Sequence, residues 1–105
     1  MARPIFAQIN LAALASNVAK AREKAPRAQL LAVVKADAYG HGLLRVLPAL
    51  AAADGLALLE LDAAIRVRGA RYSRRIVLLE GFFEARELPE IARARIAVVA
   101  HHLDQ

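Results

Sequence analysis

The segment Ala32-Val33-Val34-Lys35-Ala36-Asp37-Ala38-Tyr39-Gly40-His41-Gly42 holds the residues best suited to chemistry. Lys35 closes an apolar run and is followed by a polar loop bearing two glycines. In barrels and open α/β sheets, ligands gather at the carboxyl ends of strands. A lysine there loses hydration to its apolar neighbours, which disfavours the ammonium and leaves a nucleophilic amine, as Schiff-base chemistry requires. The same placement also suits a lysine that snorkels its head into water from a strand end. Spacing leaves both readings open.

Other polar residues are weaker candidates. His41 has an imidazole that titrates near neutrality, but a structural histidine in a turn is the simpler reading. Gly40 and Gly42 supply loop dihedrals closed to other residues. His101 and His102 are adjacent on an expected strand and so point to opposite faces, which argues against a metal site. Glu80, Glu84 and Glu87 read as loop and helix surface, with no carboxylate pair at catalytic spacing.

Those residues need a scaffold. Ile5–Asn10 is predicted to be a short strand, and Asn10 then caps a helix whose apolar positions are Leu11, Leu14, Val18 and Ala21. Pro26 ends that helix. Leu30–Val34 is an unbroken apolar run, expected to be a strand buried on both faces of a parallel sheet. Leu44–Ala53 is helical in composition despite Pro48, and Asp54-Gly55 closes it. The pattern repeats with strands at Leu56–Leu59, Ile76–Leu79 and Ile96–Ala100, and helices at Leu61–Arg68 and Glu84–Arg93. Alternation of this kind predicts an α/β fold of βα units around a parallel sheet.

Composition narrows the function classes. The 105 residues contain no cysteine, which excludes a disulfide scaffold, a zinc cluster and a thiol nucleophile. No apolar run approaches the roughly 18 residues of a membrane span, and no signal peptide opens the chain. A cytoplasmic protein without membrane contact is expected. The charge of +5 comes from 12 arginines and 3 lysines. The densest basic run, Arg66, Arg68, Arg71, Arg74 and Arg75, reads as a solvated helix end and loop. Nucleic-acid binding by stacking would call for more than five aromatics.

The Lys35 segment resembles the cofactor-binding signature of alanine racemases. The resemblance extends in register to Ile5–Leu11, Gly55–Ile65 and Ile76–Phe83. It implies an enzyme that uses pyridoxal 5'-phosphate on a (β/α)₈ TIM barrel with an added C-terminal β domain. Residues 1–105 would then be the N-terminal part of the barrel domain, about the first four βα units. Lys35 matches the Schiff-base lysine, which also acts as the base on one face of the substrate α-carbon. Tyr39 matches a tyrosine near the cofactor phosphate, and Leu79 an apolar residue near its ring. Asp37 varies with asparagine in the family pattern and carries no implied proton transfer.

The implied reaction interconverts L- and D-alanine, supplying D-alanine for cell-wall synthesis or serving alanine catabolism. Its opposite-face base is a tyrosine of the C-terminal domain, donated across a homodimer. That tyrosine, the arginine facing the pyridine nitrogen and most phosphate ligands match nothing up to Gln105, and Tyr72 sits in a turn. The sequence ends after a buried-type strand, whereas a closed barrel takes about 250 residues. A piece of a longer enzyme is therefore expected, inactive by itself. The alternatives are a non-catalytic fragment that binds pyridoxal phosphate and an inert truncated product. Half a barrel would also bare the inward side chains of Val33, Leu58 and Leu78 or their neighbours.

Overall fold

The computed structural model describes residues 3–105. Helix α1 (Leu11–Lys24) begins where the sequence places its cap: the Asn10 side-chain oxygen accepts the Ala13 amide at 2.9 Å. That bond satisfies one of the unpaired donors of the first turn. Arg22 and Lys24 in the last turn complement the helix dipole. Val18 is buried and Leu11 and Leu14 pack at the core's margin, while Ala21 stays exposed.

Four strands follow, β1 (Leu31–Val33), β2 (Gly55–Leu58), β3 (Arg75–Leu78) and β4 (Ala97–Val98). They pair in chain order and all in parallel. Between them lie α2 (Lys35–Tyr39), α3 (Leu43–Val46), α4 (Leu61–Gly69) and α5 (Leu88–Arg93). The expected α/β architecture of four βα units is therefore present. Parallel strands need covered crossovers, and the helices supply the cover.

The structure corrects several local expectations. Ile5–Asn10 forms no strand: no neighbour in the sheet pairs with it, and Ile5 and Phe6 are largely exposed. The helix expected over Leu44–Ala53 is broken, with α3 giving way to a 3₁₀ turn at Leu47–Leu50. Pro48 has no amide hydrogen to donate and sits at the start of that turn, where none is needed. Glu84–Arg93 likewise divides into a 3₁₀ turn at Ala85–Glu87 and α5, and Ile96–Ala100 pairs only over Ala97–Val98. Strand β1 lies at the sheet's edge and is not buried on both faces: Leu31 and Ala32 are half-buried and Val33 is exposed.

The two faces of the sheet differ. Val34, Leu56, Leu58, Ile76 and Leu78 pack with Val46, Ala64, Val67 and Ile91 of the helices to form the core. Each large apolar side chain buried this way contributes about 1.5–3 kcal/mol. Register aligns Val33 with Ala57 and Ala57 with Val77. Leu58 and Leu78 fall one residue later, so the pleat turns them toward the helices. Of the expected alternatives, Val33 itself faces the bare side, whereas for Leu58 and Leu78 it is their neighbours that do. That face carries their neighbours instead, with Val33 42% and Val99 36% exposed and Val77 and Leu79 half-buried.

Two polar clamps secure the amino ends of the strands. Asp54 and Leu30 bond reciprocally: the Leu30 amide donates to Oδ2 of Asp54 at 2.6 Å, and the Asp54 amide to the Leu30 carbonyl at 2.8 Å. Arg22 of α1 joins them, pairing with Asp54 at 3.0 Å and donating to the Ala52 carbonyl at 2.6 Å. The second clamp is Arg68. Its guanidinium donates to the carbonyls of Tyr72, Arg74, Ala94 and Arg95, tying the end of α4 to the entrances of β3 and β4. Within the basic run, Arg66, Arg71, Arg74 and Arg75 are exposed as expected, whereas Arg68 is half-buried.

Two outcomes follow from these clamps. Arg68→Ala should lower unfolding stability by about 2 kcal/mol, because charged donors are lost to several carbonyls. Arg68→Lys should recover less than half of that, since an ammonium cannot reproduce the fork. Urea titration measures both. The Arg22 hydrogen bond, and after it the Leu30 amide, hold the Asp54 carboxyl below its usual 3.8. A depressed carboxyl stabilises the fold fully above its unfolded value, and that contribution disappears as pH falls through the folded one. Stability should therefore decline as pH falls below about 4, and the decline should be shallower in Asp54→Asn.

Candidate functional site

The carboxyl ends of the strands are level. Beyond the paired residues, the Val34 amide donates to Ala57, Leu79 to Leu58 and Val99 to Leu78, at 2.9, 2.8 and 3.1 Å. Lys35 and Leu79 therefore stand on the same rim, separated by β2. Two strand spacings put them about 10 Å apart. Lys35 is half-buried, not fully desolvated as the sequence alone suggests.

Lys35 opens α2, and this segment has the opposite hand to every other helix. Ala36, Asp37, Ala38 and Tyr39 have φ of 54°, 56°, 56° and 57°. The chain thus makes a turn of left-handed helix, closed by Ala38 N–H to Val34 O at 2.9 Å and Gly40 N–H to Ala36 O at 3.0 Å. Left-handed geometry costs a residue with a Cβ about 1–2 kcal/mol. Nothing in Ala-Asp-Ala-Tyr announces it, since these residues are ordinary in right-handed helices. Gly40 (φ 87°) and Gly42 (φ 93°) are the legible part. They carry the chain on with dihedrals that L-residues avoid.

Side chains hold the turn from both sides. Oδ1 of Asp37 accepts the Leu43 amide at 2.8 Å, and the Asp37 carbonyl accepts the Gly42 amide at 3.0 Å. Nδ1 of His41 lies 2.8 Å from the Ala38 carbonyl, where an N–H on that nitrogen donates. His41 thus has a structural position in the turn. Ala38 is buried beneath it.

The left-handed turn sends its ends to different places. Lys35 and Asp37 line a cleft of about 450 Å³ walled by Leu58, Leu59 and Ala63, with Glu60 and Arg66 at its edge. Tyr39, 59% exposed, lines a separate apolar cavity of about 290 Å³ between α1 and β1, beside Leu14, Val18 and Val33. Val34 contributes to both. The structure therefore brings Lys35 and Leu79 to one rim and sets Tyr39 in the adjoining cavity, with Val34 lining both. The Leu79 carbonyl is engaged by Nε2 of His101 at 3.0 Å. Among the described residues, no three histidine or carboxylate groups converge on a possible metal position.

Sequence reasoning missed the reciprocal Asp54 clamp and treated Glu87 as plain surface. Glu87 accepts the Phe83 and Glu84 amides at 2.8 Å, shaping the loop after β3. The Glu84 amide, then that of Phe83, holds its carboxyl below the usual range. The Glu84–Glu87 spacing of a capping box was the available signal. Gly81 (φ 74°) stands so close to β4 that a Cβ would lie 2.6 Å from the Val99 carbonyl.

Comparison with known proteins points one way. Residues 9–105 match the family described as alanine racemase, N-terminal domain. Alanine racemase from Nitrosospira multiformis is 56% identical over all 105 residues, which span 29% of that protein. The chain thus spans under a third of the length of the curated relatives it matches. The biosynthetic alanine racemase of Pseudomonas aeruginosa superposes with a TM-score of 0.85 at 45% identity, over 90% of this chain and 27% of that one. An alanine racemase from Bartonella henselae, solved with covalently bound pyridoxal phosphate, superposes with a TM-score of 0.77 at 26% identity. That match covers 86% of this chain and 27% of the other.

The handedness of α2 is open to a direct test. Ala36 is exposed, so Ala36→Gly removes no packing. Glycine lifts the left-handed penalty but adds freedom to the unfolded chain. The net expectation is stabilisation of up to about 1 kcal/mol, read from the shift of the urea midpoint. A right-handed turn would give the reverse sign.

Proposed function

Because the chain belongs to the alanine racemase N-terminal domain family, we propose that it carries the reactive lysine of a pyridoxal-phosphate-dependent amino-acid racemase. The reaction is the interconversion of L- and D-alanine. The observation that carries this reading is Lys35 itself, half-buried at the carboxyl end of a parallel strand, in a cleft with an apolar wall. No carboxylate is ion-paired with it among the described residues. Its amine is therefore available.

The residues around Lys35 fit an aromatic aldehyde cofactor. Leu59 and Ala63, both half-buried, offer apolar surface to a ring, and Lys35 Nζ offers the nucleophile that a carbonyl requires. Leu79, on the same rim, extends the apolar side. Tyr39 is assigned to the phosphate end on the strength of the family resemblance. When bound, pyridoxal phosphate supplies an electron sink for the charge left on the substrate α-carbon after deprotonation.

The chain's own contribution is proton transfer at one face. Lys35 Nζ holds or takes the α-proton there, and the cleft wall limits water access. Racemisation needs a second acid/base group across the plane. Tyr72 does not serve, because it precedes β3 at the opposite end of the sheet. Its hydroxyl is buried without a partner, and burial pushes its pKa up. The second base belongs to another part of the protein, within the barrel-plus-β-domain homodimer that the resemblance implies. The 105 residues alone are then inactive as a racemase. The proposed role is D-alanine supply for the cell wall, or alanine breakdown, in the cytoplasm. None of the helices is long and apolar enough to cross a membrane among the described residues.

Borohydride reduction after incubation with pyridoxal phosphate tests the assignment of the lysine. The expected outcome is a single labelled peptide containing Lys35, absent in Lys35→Ala. Label spread over Lys20 and Lys24, undiminished by that substitution, would overturn it.

A further inference from the structure

We propose that Asp37 is a positioning residue for Lys35, acting as a neutral-capable hydrogen-bond acceptor that locks the hand of the turn. The idea rests on the reading of Lys35 given above, but its first half concerns the turn alone. Four consecutive residues with a Cβ occupy left-handed geometry, and two of them are alanines with no polar group to hold them there. The stabilisation has to come from elsewhere. Asp37 is the one left-handed residue whose side chain bonds across the loop.

Its reach is specific. The Leu43 amide is the first of α3 and has no partner within that helix, while Leu43 itself is 2% exposed. A buried amide left without an acceptor is costly. Oδ1 of Asp37 meets that need at 2.8 Å, and the Asp37 carbonyl meets those of Gly40 and Gly42 at 3.2 and 3.0 Å. One residue therefore ties the middle of the turn to both glycines and to the start of α3. With that tie in place, Lys35 is kept in its cleft and Tyr39 in the adjoining cavity, with Val34 lining both. Were the segment to relax to the right-handed form, the directions of both side chains would change.

The bond needs an oxygen, not a charge. Asp37→Asn offers the same acceptor, whereas Asp37→Ala offers none. This separates positioning from proton transfer, since a group that exchanged protons with Lys35 would fail in both variants. It also supplies a rescue: Ala36→Gly favours the left-handed turn by a route that bypasses the carboxylate.

The experiment uses the full chain without cofactor and has two readouts. Amide hydrogen exchange reports Gly42 and Leu43, and acetylation reports the reactivity of Lys35 relative to Lys20 and Lys24. Asp37→Ala should speed exchange at Leu43 by about tenfold, the loss expected for one ordinary hydrogen bond at the upper end of its range. Lys35 should then acetylate at the rate of Lys20 and Lys24, which are exposed. Asp37→Asn should stay within about twofold of the unsubstituted chain in both, an acceptor being retained. Adding Ala36→Gly to Asp37→Ala should bring back the reactivity of Lys35 and the protection of Gly42, whose acceptor is the Asp37 backbone carbonyl, while the Leu43 amide stays fast; that recovery also shows that the single variant had not merely unfolded. Unchanged exchange in Asp37→Ala would overturn the proposal. So would an Asp37→Asn variant that behaves like Asp37→Ala, or a double variant that recovers Gly42 protection but not Lys35 reactivity. Because neither readout uses pyridoxal phosphate, failure here is distinct from failure of borohydride labelling.

Discussion

The register of β1 against β2 is the constraint on which the site depends. A strand's side chains alternate with period two, so a slip of one residue would turn Lys35's neighbours from one face to the other. Strand β1 is three residues long and lies at the edge, with a partner on one side only. So short a ladder fixes its own register weakly. The reciprocal bonds between Leu30 and Asp54 fix it from the amino end, and Arg22 extends the lock to α1. The lysine at one end of the strand is thus set by a carboxylate at the other.

From that anchor the asymmetry of the sheet follows. The helices bury Val34, Leu56, Leu58, Ile76 and Leu78, while Val33 and Val99 remain open on the other face. Chemistry gathers on the rim between them, where apolar walls and free backbone groups meet. Arg68 performs at the strand entrances what the ladder performs at the exits: it holds successive loops in step. Two glycines mark where spacing is tightest. A Cβ at Gly55 would lie 2.5 Å from the Arg75 carbonyl, and Gly81 is similarly confined by Val99.

Much of this was legible in the sequence. The cap at Asn10, the stop before Pro26, the four strands and the lysine at a strand end all follow from local chemistry that tertiary contacts reinforce. Ile5–Asn10 has the pattern of a strand, but a strand exists only by pairing, and a pattern cannot supply its partner. Pro48 was visible, yet composition alone favoured an unbroken helix around it. The faces of Leu58 and Leu78 depended on register, which no single strand encodes. The hand of α2 was hidden most completely, because alanine and tyrosine carry no mark of positive φ and a single aspartate is a weak one. Resemblance to a family assigned Lys35, Tyr39 and Leu79 together; in the structure Lys35 and Leu79 stand on one rim and Tyr39 lines the adjoining cavity.

Four left-handed residues in succession have no local tendency to form, and starting a helix is unfavourable even in the preferred hand. The Lys35–Tyr39 turn can therefore take shape only after Val34 has joined the sheet and the Leu43 amide has been brought within reach. Its geometry depends on contacts that the sheet and α3 must supply. The setting of Lys35 is thus written less in the residues of its own turn than in the sheet and helix on either side of it.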